Sequence, residues 1–238
     1  MKKTILSVLL LAAWAVASAQ NEPLWMRFCA ISPDGQTIAF SYQGDIYSVP
    51  ATGGSARQMT SNAAYDAYPV WSPDGRKLAF ASAREGSLDV YVMDATGGAP
   101  KRLTTHSGTE LPMAFRDNTH VLFSAALMPS AKSNIFAGGR TCQVYEVSTE
   151  GGRPRMFSTL MMEDVSLNSH GDVLYHDWKG YEDPFRKHHQ SPICRDIWLC
   201  QNGKYTKLSS FKGEDRTPRW ADDQSYYYLS EEDGTFNV

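Results

Sequence analysis

Little in the composition points to nucleic acid, disulfide armour or a membrane span. Lysine and arginine total 23 against 26 aspartate and glutamate residues, a net charge of -3 with no basic block. That leaves no electrostatic footprint for nucleic acid. Cysteine is scarce: Cys29, Cys142, Cys194 and Cys200 are the whole supply. Four in a chain this long do not make a disulfide scaffold, although an oxidising compartment would allow them to pair. Beyond the amino terminus no apolar run approaches the length that crosses a bilayer, so membrane insertion is not expected. There is no G-x-S-x-G nucleophile elbow, and no serine, histidine and carboxylate are set by the sequence pattern to act together.

The amino terminus is a different matter. Lys2 and Lys3 precede an apolar run from Ile5 to Ala17, and Ala17-Ser18-Ala19 supplies a small-x-small cleavage site. This reads as a secretory signal peptide over 1–19, with a mature domain over 20–238 that is exported to the periplasm or the exterior. Gln20 rather than cysteine would follow the cut, which argues against a lipid anchor.

What the chain has in quantity is repetition. The segment ISPDGQTIAF (31–40) returns as WSPDGRKLAF (71–80). Aligned on the apolar residue before the turn, the series runs Ile31, Trp71, Phe115, Leu167 and Trp220, each followed by a short polar turn. Proline presets the first corner of such a turn, aspartate tolerates the second, and glycine takes the left-handed residue. Short strand-like segments follow: TIAF, KLAF, VLF, VLY and YYYL. A second series keeps step with the first: DIYSV, DVYVM, QVYEV and DIWLC, with Tyr47, Tyr91, Tyr145 and Trp198 at the same offset. Glycine-bearing turns then lead to the short strands RQMT, KRLT, RMF and KLSS.

Four strands per unit, repeated in one order, predict an all-β fold, a β-propeller of four-stranded blades. A β-sandwich has no reason to repeat four sub-motifs in sequence. The blades fall near 25–60, 66–104, 110–158 and 163–211, with two strands of a fifth over 215–238. Phe236-Asn237-Val238 resembles the start of the next DIY-type strand, so about four and a half blades of a six-bladed ring are expected, in a chain cut from a longer one. Trp71, Trp220, Tyr47 and Tyr91 are expected in the blade core, and Asp34 and Asp74 as turn formers.

Two long connections interrupt the third and fourth units, 126–141 and 177–194, and both are expected on the face opposite the SPDG turns. The repeat units resemble the TolB-type propeller. The stretch from Lys179 through Pro184 to His189, leading to Arg195-Asp196-Ile197-Trp198, together with the leader and the SEEDGTFNV ending, resembles the amino-terminal propeller of secreted bacterial tricorn-type proteases, serine peptidases of the carboxy-terminal-processing superfamily. The SPDG and DIY elements are shared by many propellers; the Lys179–His189 stretch is the specific part. The resemblance implies a longer parent with a second propeller, a PDZ domain and a serine-based catalytic core, none of which this segment contains. It implies a non-catalytic, substrate-gating and docking propeller. Its partners would be a peptide or unfolded protein substrate, the downstream domains of the same parent and a homo-oligomer.

Arg186, Lys187, His188 and His189 are the candidate substrate-binding residues, because basic groups on one rim hold a peptide carboxylate by charge-assisted hydrogen bonds. A salt-bridged loop that docks against the next domain is the plainer use of the same residues. Neither a metal nor a cofactor is expected: adjacent histidines point apart on a strand, and His176, Asp177 and Cys194 nearby complete no common ligand spacing. Two further readings stand beside the gating one, a free-standing TolB-like protein-binding propeller and the propeller of a prolyl-oligopeptidase-type hydrolase. The domains encoded after residue 238 would separate the three.

Overall fold

The computed structural model describes residues 25–127, 142–180 and 190–238. The segment 1–19 expected to be a signal peptide and Arg186 to His189 lie outside the described residues, as does most of the 126–141 connection. No helix among the described residues is long and apolar enough to cross a membrane.

Each repeat folds into its own antiparallel sheet. The first blade comprises β1 (Arg27–Ile31), β2 (Thr37–Tyr42), β3 (Asp45–Pro50) and β4 (Arg57–Gln58), and the second β5 (Asp66–Trp71), β6 (Lys77–Ser82), β7 (Asp89–Asp94) and β8 (Lys101–Arg102). The third holds β9 (Glu110–Asp117), β10 (His120–Ala125), β11 (Gln143–Ser148) and β12 (Arg155–Ser158). The fourth holds β13 (Met162–Leu167), β14 (Val173–Asp177), β15 (Ile197–Gln201) and β16 (Lys204–Lys207), and β17 (Asp215–Trp220) pairs with β18 (Tyr226–Ser230). A Ser230–Asn237 bridge adds the first contact of a further strand beside β18. Strands pair in chain order within every blade, and the first strand of each blade packs against the first strand of the next.

One strand differs from the sequence expectation. KLSS is not the fourth strand of its blade; KYTK is. Asn202 and Gly203 both take left-handed φ values, 52° and 74°, which closes a two-residue hairpin and starts β16 at once. Leu208 and Ser209 then occupy the places that Met59-Thr60 and Leu103-Thr104 fill after β4 and β8. A shared bond marks the equivalence: Ser209 Oγ accepts from Ile197 N at 3.0 Å, as Thr60 Oγ1 does from Ile46 N and Thr104 Oγ1 from Val90 N, both at 2.9 Å.

The SPDG turns behave as their residues dictate. Ser32 Oγ donates to Asp34 Oδ1 at 2.5 Å and accepts from Thr37 N at 2.9 Å, while Gly35, at φ 70°, donates its N–H to Ser32 O. Ser72, Asp74, Gly75 and Lys77 repeat this network. The serine hydroxyl and backbone donors hold the Asp34 and Asp74 carboxyls below their usual range.

Apolar side chains meet mainly between blades. Ala39 and Ile46 of the first blade join Leu78, Phe80 and Tyr91 of the second in one cluster. Val90 and Val92 join Phe115, Phe123 and Tyr145 in the next, and Leu122 and Val144 join Val165 and Tyr175 in a third. Phe80 and Phe123 are fully buried, worth about 2–3 kcal/mol each by area removed from water. Within blades the rings stack at 5.8 to 6.0 Å: Phe40 on Tyr47, Phe80 on Tyr91 and Phe123 on Tyr145. Of the aromatics expected in the core, Tyr91 is buried, whereas Trp71, Trp220 and Tyr47 are half-buried at its margin.

Candidate functional site

The first strands of all five blades wall a central cavity of about 1080 Å³. Its shape comes from an irregularity repeated in every blade. Opposite a bulky residue of the second strand (Phe40, Phe80, Phe123, Tyr175, Tyr228), the first strand carries one residue too many, so its register slips. The bulged positions are Phe28, Tyr68, Pro112, Asp164 and Thr217, each three residues before the turn's apolar anchor. Four of them take left-handed backbone angles, with φ of 54°, 57°, 45° and 56° for Phe28, Tyr68, Asp164 and Thr217. Pro112 is barred from that region by its ring, and the third blade instead absorbs the extra residue across its longer β9. Pro69, Pro112 and Pro218 are tolerated here because a first strand is an edge, and a missing N–H removes no ladder bond.

All five bulge residues line the cavity. Phe28 and Tyr68 form an aromatic pair with centroids 3.9 Å apart. On the opposite wall Asp164 Oδ1 accepts from Arg219 Nη2 at 3.0 Å, and its Oδ2 accepts from the Thr217 hydroxyl at 3.1 Å. Asp164 is half-buried; desolvation works to raise its carboxyl, and the Arg219 guanidinium more than offsets this and holds it low.

Behind that wall lies a polar network. Thr217 N–H donates to His176 Nδ1 at 2.9 Å, which places the ring proton on Nε2, facing Glu163 Oε2 at 3.0 Å. Arg195 Nε donates to the same Glu163 oxygen at 2.9 Å, and its Nη1 to Glu214 Oε1 at 2.9 Å. The Arg195 guanidinium also lies 5.0 Å from the centroid of the Trp178 ring. Trp178 and Arg195 belong to the two ends of the long fourth-blade connection, so this network ties the connection to the cavity wall. Lys179 fastens it further, donating to Cys194 O at 2.6 Å and to the Asp196 carboxylate.

The residues singled out for metal binding go to separate tasks. His176 serves Glu163 and Thr217, and Asp177 accepts from Asp196 N and Trp198 Nε1. Cys194 is buried, its sulfur accepting from Ser191 N at 3.3 Å, and none of the four cysteines is joined in a disulfide. No cluster of three or more ligand side chains occurs among the described residues.

The junctions between blades carry buried acids. Asp66, Glu110 and Asp215 open β5, β9 and β17, and each donates its N–H to the preceding blade, to Gly44 O, Leu88 O and Arg195 O at 2.7, 2.8 and 3.1 Å. Their side chains are at most 1 % exposed. Arg84 meets Asp66 at 2.7 Å, and Arg102 meets Asp89 at 2.8 Å. Burial pushes Glu110 up to about 7, and the neighbouring Asp89 carboxyl adds to the rise. At the junction between the third and fourth blades Met162 stands where the others have an acid.

Comparison with known proteins decides the family. Residues 23–238 match the tricorn protease N-terminal beta propeller domain. The chain belongs to this family. It is 27% identical over 216 residues to tricorn protease homolog 1 of Streptomyces coelicolor, covering 90% of this chain and 19% of that protein. The chain therefore spans about a fifth of the length of that relative. The fold is that of the tricorn protease crystal structure, with a TM-score of 0.71 at 20% identity over 90% of this chain and 21% of the other. It is also that of TolB from Acinetobacter baumannii, with a TM-score of 0.59 at 22% identity over 83% and 46%.

Proposed function

We propose that this domain is the non-catalytic propeller of an exported tricorn-like serine peptidase, where it gates peptide entry and docks against the downstream domains of the same parent. One observation carries the reading: the cavity is walled by first strands that are each paired on one side only. Main-chain groups so presented suit an extended polypeptide, which brings its own unpaired N–H and C=O groups. Family membership supplies the peptidase context, and the leader over 1–19 supports export. In this reading Arg186, Lys187, His188 and His189 hold the carboxylate end of the peptide.

The test uses the full-length parent. Thr109 is exposed and lines the cavity, so Thr109→Trp narrows the passage without overpacking the core. Gating predicts slower hydrolysis of a long peptide with unchanged hydrolysis of a small chromogenic ester. Equal rates on both substrates, relative to the parent, would dismiss the gate.

A further inference from the structure

The five bulge residues occupy one repeat position yet differ completely in chemistry. Two are aromatic, one is proline, one an acid and one a hydroxyl. Left-handed backbone is a genuine outlier for bulky and β-branched residues, and glycine would fill those positions without strain. Strained side chains that line a cavity mark a place where the side chain itself is used. The two halves of the ring are also unequally satisfied. Asp164 spends both oxygens on Arg219 and Thr217, so the polar half is closed upon itself. Phe28 and Tyr68 touch each other but remain only half-buried, leaving ring surface open to the cavity.

We infer that this ring is a selectivity element, in which Phe28 and Tyr68 form a clamp for an aromatic or large aliphatic side chain of an extended polypeptide. The inference rests on the peptide-handling reading above and deepens it. The occupant is a polypeptide because the ring is built from strand edges, each paired on one side only, which suit an extended main chain, while the aromatic half meets one of its side chains. Leu111 and Met113 of the third blade continue the apolar wall beside Tyr68, giving the side chain somewhere to go.

Two fluorescein-labelled decapeptides of glycine and serine, one with a central phenylalanine and one with serine there, are titrated into the full chain by fluorescence anisotropy. The phenylalanine peptide should bind about tenfold tighter, the order expected for one aromatic contact. Phe28→Gly and Tyr68→Gly suit the left-handed backbone, and the relief of strain offsets part of the lost ring contact and the added freedom of the unfolded chain, so each should still fold. Each should lower the ratio of the two peptides' affinities to near one, chiefly by weakening the phenylalanine peptide. If either glycine variant fails to fold, Tyr68→Asn, which also tolerates that backbone, gives the same readout. A preference that survives in these variants overturns the clamp and leaves peptide handling intact. Failure of both peptides to bind the unaltered chain overturns the peptide-handling reading, and the clamp with it.

Discussion

Replacing Glu110 by glutamine isolates the junction between the second and third blades. Glu110 is 1 % exposed, accepts weakly from His106 N at 3.4 Å, and lies beside Asp89, itself raised by burial despite Arg102. Its carboxyl titrates near 7 in the folded chain against an ordinary value of 4.5. Between those values the folded protein holds a proton that the unfolded chain has released. The stabilising contribution is therefore full below about pH 4.5 and is lost as pH rises through about 7. The difference is on the order of 3 kcal/mol by the linkage of pKa to stability. Glutamine keeps a donor for Asp89 and has nothing to ionise. Urea unfolding at pH 5 and at pH 8.5 should show the unaltered protein losing stability relative to Glu110→Gln, with the variant the more stable at pH 8.5. Parallel stability curves across that range would refute the shared-proton junction.

Arg195→Ala removes the guanidinium that pairs with both Glu214, whose side chain is 3 % exposed, and Glu163; the unfolding free energy should fall by roughly 3 kcal/mol in urea titration. Gly75→Ala forces a side chain into φ 69° with only Pro33 nearby, so the loss should be about 1–2 kcal/mol from backbone strain, read as a lowered Tm. In the parent peptidase, Arg186→Ala with Lys187→Ala should lower kcat/KM about tenfold for peptides with a free carboxyl end and much less for amidated ones. Equal losses on both, at unchanged Tm, would leave these residues to domain docking.

The blade period was written in the sequence because it rests on local chemistry. A turn that needs proline, aspartate and glycine in order, and a strand that places Tyr47, Tyr91, Tyr145 and Trp198 at one offset, leave marks that composition alone reveals. The fourth strand of the fourth blade was misplaced because Asn202-Gly203 shortens its turn, and KYTK looks too polar for a strand until its outer position is known. The cavity wall was not legible. Phe28, Tyr68, Pro112, Asp164 and Thr217 share a backbone conformation or position rather than a residue type, and the prolines at 69, 112 and 218 are the only hint. Nor does any spacing foretell that His176, Glu163 and Arg195 meet, since register across β13 and β14 and the path of the long connection bring them together. Arg186 to His189, chosen for their charge, lie outside the described residues.

The account stands or falls on whether substrate enters the cavity. A photo-crosslinking p-benzoylphenylalanine placed at Thr109, on the cavity, and separately at Lys204, exposed on the outer strand β16, can be irradiated in the parent peptidase with a labelled long peptide. The account predicts strong labelling from position 109, competed away by unlabelled peptide, and little from position 204. Equal labelling at both positions, or labelling at 204 alone, would contradict it.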